Sequence, residues 1–239
     1  MSFIVTLDLD WCAEPAIDAT LDFLQSLEIT PTVFITHRSE RVEREIDRLE
    51  VGLHPYFGLD SSHGSTAEIT ARHIATLPHN LPAFRCHRFA QSNESMEWMK
   101  KMGMTISSNV CTDLECVNPF YNRFGMVEIP IFLEDGGYLM QKHPLEIHSK
   151  IEEAIVKPTP KVVLIHPMHF MLNTPHFQYM RGVKDSVDRH EWNTMSKATM
   201  ESLRWKGRGI RDFLAELLKN VRTSTLSELV SHSHREAVL

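Results

Sequence analysis

Hydrophobic positions in this chain follow two spacings, one typical of strands and one typical of helices. Residues 3–10 and 161–167 are short runs of apolar and β-branched residues, which predict buried strands. In residues 15–27 the apolar positions recur at helical spacing, and Pro15 suits a first helical turn. Strand-like and helix-like runs alternate along the chain. This order favours parallel strands with helices packed outside them.

The other segments continue the same alternation. Further strands are predicted at 32–36, 50–54, 83–89, 105–110 and 126–134, and further helices at 39–49, 65–77, 92–102, 144–157 and 209–221. We expect residues 223–230 to be partly extended, and residues 171–208 form a long insertion that could be a lid or groove wall. With 239 residues and no linker, the chain predicts a single α/β domain over residues 1–230 and a flexible tail over 231–239.

Charge and composition limit the classes of partner. The formal net charge of −6 gives no reason to expect nucleic acid. No apolar run approaches the roughly 20 residues of a membrane span, and no secretory signal pattern is visible. The four cysteines contain no C-x-x-C pair, which is typical of reduced thiols. We therefore expect a cytoplasmic protein, and the oligomeric state stays open.

Ionisable side chains cluster at the C-terminal ends of the predicted strands. They are Asp8, Asp10, His54, Arg85, His87, His166 and, just beyond the last strand, His169. In a parallel barrel these strand ends meet at one rim, where reactive groups are found. Phosphate-binding glycine motifs are missing from the sequence, which argues against a dinucleotide fold. The sequence thus predicts one polar site at the rim.

A cation is needed to make the first strand's two acids tolerable. On a strand period of two, Asp8 and Asp10 point to the same face, where their charges repel. A bound divalent metal together with Arg85 would compensate them. One aspartate and two histidines form a common zinc site with an open position for water. Zinc is therefore the predicted ion, although cobalt or nickel also suits such ligands.

Four motifs occur in the order found in the polysaccharide deacetylases, the NodB-homology family also called carbohydrate esterase family four. They are "TLDLDW" (6–11), "VGLHPYFGLDSSHG" (51–64), "FRCHRF" (84–89) and "LIHPMHF" (164–170). The second of these motifs and the last, "LIHPMHF", look closest to a bacterial WbmS-type subgroup from O-antigen gene clusters. The resemblance implies a distorted seven-stranded (β/α) barrel that hydrolyses amides with a metal.

The resemblance also implies a role for each matching residue. Asp8 looks like the general base, Arg85 would orient Asp8, and His166 would be the general acid. The implied metal ligands and substrate contacts form two further groups. The ligands are Asp10, His54 and His63, and the substrate contacts are Trp11, Tyr56, His87 and His169.

The sequence departs from the family pattern in three ways. Leu9 separates the two aspartates, which are adjacent in the family, so the base and ligand roles could be exchanged. His54 and His63 are nine residues apart instead of four, and His87 is a rival third ligand. The fourth family motif, Asp-Trp, is not evident, and Asp113 and Glu134 are poor substitutes for it.

The expected function is hydrolysis of an N-acyl group, most simply acetyl, on a sugar or glycan precursor by metal-activated water. The substrate would be a small molecule or an oligosaccharide. Two other hypotheses stay open. One keeps the metal site but cleaves another acyl or amide bond. The other is a non-catalytic descendant that binds sugar or metal.

Overall fold

Nine strands and twelve α-helices build the chain in the computed structural model, which describes residues 2–219 and 221–236. The strands are β1 Phe3–Asp8, β2 Thr32–Ile35, β3 Glu50–Leu53, β4 Ala83–Phe84, β5 Ile106–Ser107, β6 Phe120–Tyr121, β7 Val127–Glu128, β8 Ile131–Glu134 and β9 Lys161–Ile165. The helices are α1 Glu14–Ser26, α2 Glu40–Arg44, α3 Ala67–Ile74, α4 Asn93–Lys101, α5 Asp135–Met140, α6 Ser149–Val156, α7 Pro167–Leu172, α8 Phe177–Asp185, α9 Arg189–Asn193, α10 Lys197–Leu203, α11 Ile210–Lys219 and α12 Leu226–Glu236.

The strands form one curled sheet in the order β6-β7-β5-β4-β3-β2-β1-β9-β8. All pairings within it are parallel except the one between β6 and β7. The sheet curls until β8 meets the chain that follows β5, where a bridge joins Cys111 to Ile131. The predicted distorted α/β barrel with helices outside is confirmed, in the form of a curled half-barrel sheet. The sheet has nine strands instead of seven.

Residues of β1 alternate between the two faces of the sheet, as the strand period requires. Val5 and Leu7 belong to the large apolar cluster that α1 joins through Ile17. Ile4 belongs to a second cluster on the opposite face, with Phe34. Burying each such side chain contributes about 1.5–3 kcal/mol. Both faces of the sheet are therefore covered, which explains why β1 is buried along its full length.

Several predicted elements differ from the observed ones for local reasons. The strand expected over 83–89 ends at Phe84, and a short 3₁₀ turn follows at His87–Phe89. The strand expected over 126–134 is divided into β7 and β8, with Pro130 in the interruption. Residues 223–230 were expected to be partly extended, but most of them lie in α12. Leu226 of this helix is buried in the second apolar cluster, which contains Ile4 and Phe34.

The segment after β9 folds into helices that cover the sheet. The predicted insertion 171–208 contains the end of α7 and then α8, α9 and α10. The expected domain boundary at residue 230 falls inside α12, which continues to Glu236. Of the predicted tail, residues 237–239 lie outside the described residues. None of the described helices is long and apolar enough to cross a lipid bilayer.

Candidate metal and hydrolytic site

The C-terminal ends of β1, β3, β4, β8 and β9 meet at one rim of the half-barrel. Because these strands run parallel, their C-terminal ends point the same way. The rim collects the polar side chains that close or follow each strand. They are Asp8, Asp10, His54, Arg85, His87, Glu134, Asp135 and His166.

Asp10 lies at the centre of this site, just beyond β1. One carboxylate oxygen, Oδ1, is 3.0 Å from Nε2 of His54 and 2.8 Å from Nδ1 of His87. The strand ends at Asp8, and Asp10 has a φ of 46°, in the left-handed region. A turn at this point, and not the strand alternation expected from the sequence, therefore directs Asp10 toward the histidines.

His54 is held in a fixed orientation by its other ring nitrogen. Nδ1 donates to the backbone carbonyl of Arg85 at 2.7 Å, which leaves Nε2 free to act as a ligand. The ring is buried, with 1 % of its surface exposed. Burial alone would raise the pKa of Asp10, but the neighbouring imidazoles of His54, His87 and His166 hold it well below its usual value.

The donor atoms of Asp10, His54 and His87 fit a divalent metal. One oxygen and two imidazole nitrogens all lie within 4.8 Å of one another. A carboxylate with two imidazoles is a set that zinc accepts in three-ligand sites. The backbone bond behind His54 supplies the outer support that such ligands normally have.

Asp8 is paired with a guanidinium inside the barrel. Nη1 of Arg85 donates to Oδ1 of Asp8 at 2.8 Å, and Arg85 is fully buried. Three further hydrogen bonds from Arg85 reach the hydroxyl of Thr6 and the carbonyl and hydroxyl of Ser108, and together they fix the guanidinium in place. The second oxygen of Asp8 lies 3.6 Å from Nε2 of His54. Both acids of the first motif therefore lie near Nε2 of His54.

His166 is held on the other side of Asp10 by an acid that the sequence analysis missed. Its Nδ1 lies 2.5 Å from Oδ1 of Asp135, and its backbone N–H donates to Oδ2 of Asp135 at 2.7 Å. Nε2 points toward Asp10, 3.7 Å from Oδ2. Burial alone would lower the pKa of His166, but the charges of Asp135, Asp10 and Glu134 outweigh it and raise the pKa well above its ordinary value.

A signal for Asp135 was present in the sequence, because it directly follows strand β8 as the other site residues follow theirs. Glu134, Asp135 and His166 also lie close enough to share an ion. Their oxygens, however, already accept hydrogen bonds from Gly136, Gly137 and His166. This second group is therefore a hydrogen-bonded network that orients His166.

His63 lies beside the site, but its ring nitrogens are both engaged elsewhere. Nδ1 accepts from the N–H of Tyr56 at 3.0 Å, so Nε2 carries the proton and donates to the carbonyl of Thr36 at 2.8 Å. The ring is buried, which lowers its pKa to about 4. The structure thus brings His87 to Asp10 and His54, in the place where the sequence analysis expected His63.

Two cavities flank Asp10 and contain the other predicted substrate contacts. One, of about 240 Å³, is lined by His166, His169 and apolar side chains such as Phe177. Burial lowers the pKa of His169 to about 4. The second, of about 360 Å³, is lined by Trp11, Tyr56 and His87 and by residues of α8 and α9. A substrate bound across Asp10 can therefore reach both cavities.

Solved structures of polysaccharide deacetylases share this fold. WbmS from Bordetella bronchiseptica, assigned as a polysaccharide deacetylase involved in O-antigen biosynthesis, matches with a TM-score of 0.77 and 22 % identity, covering 92 % of this chain and 90 % of its own. A structure from Mycobacterium smegmatis, also assigned as a polysaccharide deacetylase, matches with a TM-score of 0.54 and 14 % identity. The match covers 99 % of this chain and 91 % of the other. The fold is therefore that of the deacetylase half-barrels.

The family model described as WbmS-like polysaccharide deacetylase matches residues 5–184. This range includes the whole site, from Asp8 to His166. The chain belongs to the WbmS-like polysaccharide deacetylase family, and the resemblance found in its motifs is confirmed. No curated protein matches the chain.

Proposed function

We propose that this protein removes an N-acyl group, most simply acetyl, from a sugar or glycan precursor. Membership of the deacetylase family supports the reaction class. The observation that carries the proposal is the shared oxygen of Asp10, within 3.0 Å of both His54 and His87. On either side of this oxygen lie the buried carboxylate of Asp8 and the imidazole of His166, whose charged form is stabilised. Glycan biosynthesis is the setting assigned to the similar WbmS from Bordetella bronchiseptica.

Asp10, His54 and His87 would hold the divalent cation, for which zinc is our choice. Such a cation supplies Lewis acidity, lowering the pKa of a nearby water and polarising an acyl carbonyl. Nδ1 of His54 is anchored to the backbone, and Asp10 is fixed by its turn. These residues therefore present their ligand atoms without rearrangement, which keeps the cost of organising the site low.

Asp8 is the proposed general base. Arg85 binds one oxygen of Asp8, so the other oxygen remains to take a proton from the attacking water. The guanidinium is fully buried and also donates hydrogen bonds to the carbonyl and the hydroxyl of Ser108. It therefore fixes Asp8 and keeps a positive charge beside its ionised form. The order in the first motif then gives Asp8 the base role and Asp10 the ligand role.

His166 is the proposed general acid. Asp135 holds the ring by Nδ1 and favours the imidazolium, so Nε2 carries a proton at neutral pH. Nε2 faces Asp10 across 3.7 Å, at the edge of the smaller cavity. From there it can donate to the departing nitrogen when the amide bond breaks. Asp135 acts through His166 and is a positioning residue.

The experiment measures turnover of N-acetylated sugars by zinc-supplemented protein and its variants. General acid–base catalysis contributes typically about 10²–10⁴-fold. We expect Asp8→Asn and His166→Asn each to lower kcat by at least about 10²-fold while the folded protein keeps its zinc. His143→Asn is the matched control, because His143 also pairs with an aspartate, Asp113, outside the site.

Near-normal kcat in Asp8→Asn or His166→Asn would contradict the role assigned to that residue. Zinc binding without turnover on a panel of N-acetyl, N-formyl and O-acetyl sugars would instead indicate a binding protein. Turnover of the O-acetyl sugars alone would replace the amide with an ester as the substrate bond.

A further inference from the structure

The larger cavity beside Asp10 carries charges that the hydrolytic site does not use. It is lined on one side by Trp11 and Arg88 and on the other by residues of α8 and α9. Its volume of about 360 Å³ is near the lower end of the roughly 300–1,000 Å³ typical of small-ligand pockets. A ligand of one or two rings with a substituent therefore suits it better than a long polymer segment.

The positive charges of this cavity outnumber the acids that can neutralise them. Its charged lining consists of Arg88, Arg181, Lys184 and Arg189 together with Asp10, Asp60, Asp185 and Asp188. Asp185 pairs with Arg181 at 3.5 Å, and Asp188 accepts from the N–H of Glu191 at the start of α9. Asp10 belongs to the proposed ligand set. Asp60 and Asp188, which keeps its charge as a helix cap, are then the acids left to face three cations.

Arg88, Lys184 and Arg189 make no ion pair within the part of the chain that the structure describes. Two of them lie over tryptophan rings. The guanidinium carbon of Arg189 is 5.6 Å from the Trp11 ring centre, and Nζ of Lys184 is 5.4 Å from that of Trp192. Such contacts orient a cation without neutralising it. Both side chains therefore remain available to an anion.

The cavity is tied closely to the proposed metal ligands. Trp11 directly follows Asp10 and has a φ of 53°, and Arg88 directly follows His87 with a φ of 56°. Left-handed backbone is uncommon in residues with side chains. The backbone turns that place the proposed ligands Asp10 and His87 thus also place their neighbours in the cavity. These neighbours are Arg88 and Trp11, whose ring lies under Arg189.

We propose that Arg88, Lys184 and Arg189 bind an anionic group of the substrate, a phosphate or a carboxylate. The inference rests on the proposed function and narrows it to an N-acyl sugar that bears a negative charge away from the amide. Phosphate and carboxylate oxygens share the chemistry that guanidinium and ammonium groups recognise. Trp11 and Trp192 line the same cavity and hold two of these cations in place.

The test compares zinc-supplemented protein acting on N-acetylglucosamine, its 1-phosphate, and an N-acetylhexosaminuronic acid. We expect kcat/KM to be at least ten-fold higher for one charged sugar than for the neutral one. Arg189→Gln combined with Lys184→Gln should lower that ratio at least ten-fold, mainly through KM. Arg181→Gln combined with Asp185→Asn should leave the ratio unchanged, because it removes an ion pair and keeps the net charge of the cavity. Which charged sugar is preferred distinguishes phosphate from carboxylate.

Calorimetric titration with N-acetylglucosamine 1-phosphate separates this inference from the proposed function. Binding that weakens at least ten-fold in the Arg189/Lys184 variant, without any turnover, supports the anion site and contradicts the hydrolase. Turnover with the same kcat/KM for neutral and charged sugars overturns the anion site and leaves the hydrolase standing. Equal weakening in the Arg181/Asp185 variant also overturns it, since the effect would then not depend on the unpaired cations.

Discussion

Two histidines at the rim, His63 and His87, show how hydrogen bonding decides what an imidazole can do. Both are buried, but His87 lies three residues after the end of β4, whereas His63 lies in the loop ten residues after the end of β3. The neutral ring of His63 joins Tyr56 to Thr36 and so ties the loop after His54 to the end of β2. Nδ1 of His87 instead faces Asp10 at 2.8 Å. A residue in the first situation stabilises a loop, and one in the second can hold a metal.

Replacing each histidine by alanine should separate these roles. His63→Ala leaves the Tyr56 N–H and the Thr36 carbonyl without partners, so the free energy of unfolding should fall by about 1–3 kcal/mol. Its zinc stoichiometry should be unchanged. His87→Ala should weaken zinc binding by more than the roughly 10–100-fold typical of losing an outer-sphere partner. Urea unfolding and calorimetric zinc titration measure the two effects, and the reverse pattern would make His63 the ligand.

The pH dependence of stability should identify His63 independently. Its pKa is about 4, below the value of about 6.5 for an exposed histidine, because burial disfavours the charged ring. The neutral ring therefore contributes its full stability above pH 6.5, and the contribution is lost as pH falls toward 4. The gap in unfolding free energy between the parent protein and His63→Ala should close over this window. A gap that stays constant from pH 7 to pH 4 would contradict the assignment.

Among the elements, the start of α5 links backbone geometry to chemistry. The side chain of Glu134 accepts from the N–H groups of Gly136 and Gly137, and Asp135, which holds His166, lies between the cap and these glycines. A side chain at Gly136 would bring Cβ to 2.6 Å from Oε1 of Glu134. The two glycines are therefore required for the cap, and the cap sets the position of Asp135.

Gly137→Ala should disturb both stability and catalysis. The new Cβ overlaps Oε2 of Glu134, so the cap must shift, which costs about 0.5–2 kcal/mol. Asp135 and His166 should move with it and lower kcat. Gly182→Ala is the control, since its Cβ meets nothing within 4 Å and α8 should gain about 0.5–1 kcal/mol. Thermal unfolding and sugar-deacetylase assays test the pair; equal kcat in both variants would contradict this link.

At the scale of the whole molecule, curling of the sheet assembles the site from distant segments. Asp10 and His54 are 44 residues apart, and Asp10 and His87 are 77 apart. An ion bound by all three joins the ends of β1, β3 and β4. Because the unfolded chain does not hold these groups together, binding should stabilise the folded state through mass action.

Removing the metal should therefore lower the melting temperature. At free zinc of 100 times Kd the stabilisation is about 2.7 kcal/mol, which corresponds to a Tm difference of roughly 5–10 °C for a domain of this size. Calorimetry with zinc and with a chelator measures it. His87→Ala should lose the difference, and His143→Ala should keep it. The metal site would be refuted if the parent protein melted at the same temperature in both conditions.

Much of this picture follows from local patterns. The spacing of apolar residues identified the buried strands β1 and β9 and the helices packed outside them, because burial imposes its period directly on the sequence. Polar residues at the ends of these apolar strands indicated where the candidate site lies. An aspartate or arginine in an apolar run requires a compensating partner, and this requirement pointed to Asp8, Arg85 and His166 before their contacts were known.

Tertiary structure alone decided how those residues are combined. Asp135 follows a strand as the others do, but only the pairing of β8 with β9 places it under His166. The family motif implies His63 as the third ligand and leaves His87 as a rival, and the choice depends on where the loop between His54 and His63 returns. The turn at Asp10 likewise depends on contacts made after folding. Sequence patterns encode burial and local backbone preference, whereas distances between side chains from different strands are fixed only when the sheet curls.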